Sequence, residues 1–156
     1  MSTWPAKLAV LAVALACSTA AGGAERAPSA LRPGLWKGEA VNRVDGEGAA
    51  AAVAMAIAGR IPLTKCIPPD LATQGPLAVL RDGSDCQLKA SGKRGEQITA
   101  DQVCRERSGK NELSKVVIQS SREKMVVTIT GQAPTSEGSL PMTITDTLVW
   151  ANPSCG

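Results

Sequence analysis

The stretch SLPMTITDTLVW, Ser139 to Trp150, constrains the fold more than any other. Its even positions Leu140, Met142, Ile144, Leu148 and Trp150 are apolar, and its odd positions Thr143, Thr145 and Thr147 are threonine. Successive side chains of a strand point to opposite faces, so this pattern describes one long strand with one face in a core. Upstream, Met125, Val127 and Ile129 alternate with Val126, Thr128 and Thr130 in the same way. Gly131 to Gly138, rich in Gly, Pro, Ser and Thr, reads as the hairpin connection between them. An antiparallel sheet near the C-terminus is the foundation this predicts.

Asp146 breaks the pattern. It takes an even position, on the apolar face. A carboxylate placed there is costly unless paired or hydrogen-bonded, and desolvation raises its pKa. A bulge turning it outward and a wet sheet end are the structural readings. A polar contact lining a ligand pocket is the functional one.

The rest of the chain adds short strands. Pro33-Gly34 is a turn signal, after which Trp36, Gly38 and Ala40 share one face and Lys37 and Glu39 the other. Trp36 and Trp150 are core anchors by type, with ligand stacking as the sharper role for each. Ala49 to Ala58 is nearly all alanine, yet Val53, Met55 and Ile57 recur at period two. It reads as a strand on alternation and as a helix on propensity. Leu63 to Ile67 is a short strand, Pro68 to Ala72 a single helical turn, and Thr73 to Ser84 a loop whose apolar patch, Leu77 to Leu80, folds over a sheet edge. Segments around Cys86–Ala90, Ile98–Cys104 and Leu113–Ser121 complete the count. The expectation is all-β: a single antiparallel sheet of about seven to eight strands, rolled toward a barrel or sandwich and stapled by disulfides.

The staples follow from compartment and register. Residues 1–24 have the form of a secretory signal peptide, with Lys7 followed by the apolar run Leu8 to Ala16 and then small residues. Residues 25–31 read as a flexible lead-in and 32–156 as the exported β domain, periplasmic or secreted. Cys17 opens a lipid-anchor alternative, although Ala14-Leu15-Ala16 fits a lipobox poorly. Four cysteines remain, Cys66, Cys86, Cys104 and Cys155, and an even set in a small exported domain reads as disulfides. If Leu88 faces Gln102 and Ala90 faces Ala100, Cys86 faces Cys104 at bridging distance, which leaves Cys66 for Cys155.

Absences bound the function. The 156 residues contain no His, Tyr or Phe and only three Trp. A chain without histidine cannot build a Ser-His or Cys-His pair and lacks the commonest zinc ligand, and so few aromatics disfavour base stacking. A formal charge of +3 with acids interspersed does not steer the chain to nucleic acid. The basic residues Lys89, Lys93, Arg94, Arg105, Arg107 and Lys110 lie among Glu96, Asp101, Glu106 and Glu112, a mixed solvated surface. No catalytic, cofactor or metal residues are expected.

Several of these residues also carry a resemblance. Arg32-Pro33-Gly34-Leu35-Trp36, Cys66-Ile67-Pro68-Pro69-Asp70, Asp85-Cys86-Gln87-Leu88, Val103-Cys104 and the terminal Cys155 occur in the order of an uncharacterised family of exported proteobacterial proteins, a domain of unknown function, which the whole mature chain resembles. The Ala-rich segment from Ala49 departs from that family, whose members tend toward Met and Pro there. The resemblance implies an all-β, disulfide-bonded exported domain with no established activity. The expected role is a non-enzymatic periplasmic module that binds an apolar small molecule or a protein partner, with Trp36, Asp146 and Trp150 as candidate pocket residues. A structural or envelope-stress accessory protein is the alternative, and a hydrolase using acids or a Ser-Lys pair ranks below both.

Overall fold

A computed structural model describes residues 30–46, 59–105, 109, 111–135 and 138–155. Residues 1–24 with Cys17, on which the signal-peptide reading falls, most of the lead-in, the Ala-rich stretch 49–58, Glu106, Arg107 and Lys110 lie outside the described residues.

Seven strands form one antiparallel sheet: β1 (Gly34–Val44), β2 (Arg60–Ile67), β3 (Gln87–Arg94), β4 (Gln97–Arg105), β5 (Asn111–Ser120), β6 (Lys124–Thr135) and β7 (Gly138–Asn152). Their spatial order is β2-β1-β7-β6-β5-β4-β3, so the sheet does not close and β2 and β3 are its edges. β6, β7 and β1 are the longest neighbours, in keeping with the alternation that dominates the sequence.

Three elements differ from expectation. The segment 131–138 is mostly strand: β6 and β7 stay paired from Lys124↔Val149 to Thr135↔Gly138. Its Pro134 is tolerated because β5 stops pairing β6 at Thr130, so among the described residues this end of β6 pairs with β7 alone and a proline there forfeits no bond to a second strand. Second, β2 begins at Arg60 rather than Leu63, and Pro62 fits because β2 is an edge. Third, the connection after β2 folds into two helices, α1 (Pro69–Gln74) and α2 (Pro76–Arg81), each with proline in its first turn. Gly75 at φ 90° separates them. Within the apolar run Leu77 to Leu80, Val79 is fully buried and Leu77 and Leu80 pack against the core, in a helix too short for periodicity to reveal.

Directly opposed residues share a face, so the registers define an inner face in rows. One row holds Gly38, Leu148, Met125 and Ser120; the next holds Ile61, Ala40, Asp146, Val127, Ile118 and Ile98. The third holds Asn42, Ile144, Ile129, Val116, Ala100 and Ala90. Residues 68–86 must travel from one edge strand to the other, and they do so across this face. Ala72 of α1 and Val79 of α2 join Trp36, Ile67, Leu88, Val116, Ile118, Met125 and Val127 in a single core cluster. Arg81 ties α2 to the β3 edge by donating to the Leu88 carbonyl at 2.6 and 3.2 Å, while Lys65 of β2 donates to the Asp82 carbonyl at 3.2 Å.

Both disulfides form in the pairing that register and elimination gave. Cys86–Cys104 has Cα atoms 4.2 Å apart and Cys66–Cys155 has them 5.5 Å apart. The assumed register is the observed one, Leu88↔Gln102 and Ala90↔Ala100, with a bulge at Ser91 only beyond it.

Candidate functional site

Trp36 lies opposite Trp150 across the β1–β7 ladder and is fully buried. Its indole nitrogen donates to the Arg32 carbonyl at 2.9 Å, and that of Trp150 donates to the Pro33 carbonyl at 3.0 Å. The Arg32 guanidinium stacks 3.6 Å from the Trp150 ring centroid and pairs with Glu123. These contacts pin the chain entering β1 against the sheet end, and the stacked cation adds to the aromatic burial. Every polar atom of both indoles is thereby used on the protein's own backbone. Sequence reasoning found both tryptophans and missed Arg32 and Glu123 as their partners, because a contact between residues 32 and 150 leaves no local pattern.

Asp146 lies elsewhere on the same face. Four residues along the ladder from the tryptophan pair, it is about 13 Å away at the rise of an extended chain. No register shift occurs beside it on either strand: it opposes Ala40 on β1 and Val127 on β6. A bulge therefore does not turn it outward. It is the only carboxylate in its row, which ends at Lys93 on β3, and Ile144 and Leu148 are the same-face neighbours on its own strand. Among the described residues no side chain or backbone group hydrogen-bonds to its carboxylate, and none of the five ion pairs includes it. Burial alone pushes its carboxyl above the ordinary 3.8.

Past Asp146 the inner face continues through Ile144 and Ile129 to Met142 and Val44. Val44, Met142 and Ile144 are only half-buried and lie outside the core cluster, unlike the residues under α1 and α2. The reason is geometric. The crossing connection starts beside Trp36 at the end of β2 and finishes at Leu88, two rows beyond the level of Asp146 at the opposite edge. It follows a diagonal and leaves the β1–β7–β6 corner clear of both helices. The alternation showed that this face is apolar; it held no information about which part of it the helices cover.

A stability prediction follows for Asp146. A raised folded pKa means that the native state holds a proton the unfolded chain has released, in the interval between the two values. Stability conferred by protonation is thus present at pH below the ordinary 3.8 and is lost as pH rises through the folded value. Asp146→Asn is expected to stabilise the protein at pH 7, with the gain disappearing toward pH 3. Urea unfolding of both forms at the two pH values measures it; a variant less stable at pH 7 would show that the carboxylate is satisfied in the native state.

The cations flagged around the central hairpin do not converge. Lys115 pairs with Asp101, and Lys89 opposes Asp101 on the neighbouring strand. Among the described residues no group of three His, Cys, Asp or Glu side chains could hold a metal ion, and no described helix is long and apolar enough to cross a membrane.

Comparison with curated proteins and with solved structures yields no match. The family comparison does yield one, over residues 31–155, from Leu31 beneath the tryptophan clasp to the Cys155 staple. The chain belongs to the family described as protein of unknown function (DUF3617).

Proposed function

We propose that this domain is an exported, non-enzymatic binding module that holds an apolar small molecule on the corner of its inner sheet face that neither described helix covers. The carrying observation is the half-buried group Val44, Met142 and Ile144, which prolongs an apolar face beyond the core cluster. Apolar clefts beside a rigid sheet, with few polar groups, are the common form of small-molecule sites. Export is supported by the two disulfides, which persist in oxidising compartments. A non-enzymatic role is supported by the lack of histidine and by Asp146 standing in its row without a second carboxylate beside it.

The test uses the purified oxidised protein and 1-decanol below its solubility limit. Decanol is expected to raise the melting temperature by mass action, and Met142→Ala with Ile144→Ala to weaken its binding about tenfold, from the lost apolar contact. Decanol without effect on the native protein defeats the proposal and leaves the structural or envelope-accessory role in its place.

A further inference from the structure

We infer that the ligand of this face carries a positively charged head, an amphiphilic amine whose ammonium group meets Asp146 while its chain lies over Ile144, Ile129 and Met142. The inference rests on the binding reading above and adds the chemical class.

Three observations carry it. Asp146 is held in register between Ala40 and Val127, facing inward with no bulge to release it. Its carboxylate has no hydrogen-bond donor and no cation among the described residues, although the chain has 17 lysines and arginines against 14 acids. The cations of the inner face are committed or distant. Lys65 is engaged by Asp82 at the far edge, and Lys93 lies at the opposite end of the Asp146 row, beyond Val127, Ile118 and Ile98. A half-buried carboxylate on an apolar face, partly stripped of water, is stabilised by a compensating partner. The missing partner is a donor or a cation, and apart from Asn42 the inner-face residues adjoining the carboxylate, Ala40, Val127, Ile144 and Leu148, are apolar. A compound with an alkyl body and an ammonium end satisfies both, and a fatty acid satisfies only one.

Headgroup comparison on the oxidised protein tests this, using decylamine, 1-decanol and decanoate at pH 7 with binding read by calorimetry. Decylamine is expected to bind about tenfold tighter than decanol, the usual value of a hydrogen bond to a charged group, and decanoate more weakly than either. Asp146→Asn should erase the amine preference, bringing decylamine to the affinity of decanol. Glu39→Gln, on the outer face, should change neither, which separates a local contact from general attraction of cations. If decanol binds and the three headgroups do not differ, or the preference survives in Asp146→Asn, the amine inference fails and the apolar site stands. Tighter binding of decanoate overturns it equally. If none binds, the binding reading itself fails; a dimer in sedimentation would then assign the face to a second copy, a monomer to the chain's own residues.

Discussion

Serine at both Cys66 and Cys155 is expected to cost about 4–5 kcal/mol of unfolding free energy, against about 3 kcal/mol for the same change at Cys86 and Cys104. The two bridges differ chiefly in the chain they close. Cys66 and Cys155 are 89 residues apart and Cys86 and Cys104 only 18, so the first removes far more freedom from the unfolded chain. Their places in the sheet sharpen the difference. Cys104 lies within the β4–β5 ladder, and Cys86 immediately precedes β3, whose pairing with β4 continues without it. Cys66 lies on the edge strand β2, whose only strand neighbour is β1, and Cys155 on the tail beyond β7. A domain of this size has about 5–15 kcal/mol in all, so the long bridge accounts for roughly a quarter or more of it. Urea unfolding of the two double variants under non-reducing conditions gives the order directly. Equal costs would mean that the bridges act on the native state, by local packing, and not through loop closure.

The same pair of bridges shows how far the sequence could be read. Cys86–Cys104 followed from register because alternation fixes which residues of a hairpin oppose one another, and Leu88, Ala90, Ala100 and Gln102 sit where that rule puts them. Asp146 was equally legible: in a long strand with an intact period of two, its parity alone assigns it to the inner face. Parity carries no information about order across the sheet. That β1 inserts between β2 and β7, joining residues 36 and 150, is a long-range choice, and the Arg32–Trp150 stack and the Glu123 pair depend on it. The helices failed to register for another reason. Six residues starting at a proline complete fewer than two turns, so Pro76–Arg81 shows a cluster of apolar residues and no period. Because the path of α1 and α2 decides which part of the inner face is covered, the candidate site could be named by one residue from the sequence and outlined only from the fold.

Gly38 makes the sharpest single-residue case. It lies in the middle of β1, opposite Leu148 on β7 and Leu63 on β2, where the entropic cost of a glycine disfavours it. The reason for it is contact. A Cβ built there falls on the carbonyl oxygen of Thr147, with the Thr147 carbonyl carbon at 2.7 Å and the Leu148 Cα at 3.0 Å. These are backbone atoms of the paired strand, so no rotamer change can clear them, and β1 would have to shift away from β7. That movement would loosen the ladder carrying both tryptophans and Asp146. Gly38→Ala is therefore expected to cost about 3 kcal/mol, the upper range for overpacking, although alanine adds only one methyl group. Gly59→Ala is the matched control: a Cβ there meets nothing within 4 Å and its φ is not in the left-handed region. It should leave stability unchanged or raise it by about 0.4–1 kcal/mol, through the less flexible unfolded chain. Chemical denaturation of the two variants compares identical changes in composition. If they cost the same, the close approach of β1 to β7 at Gly38 is not a feature of the folded protein, and the inner-face rows built on that ladder would have to be redrawn.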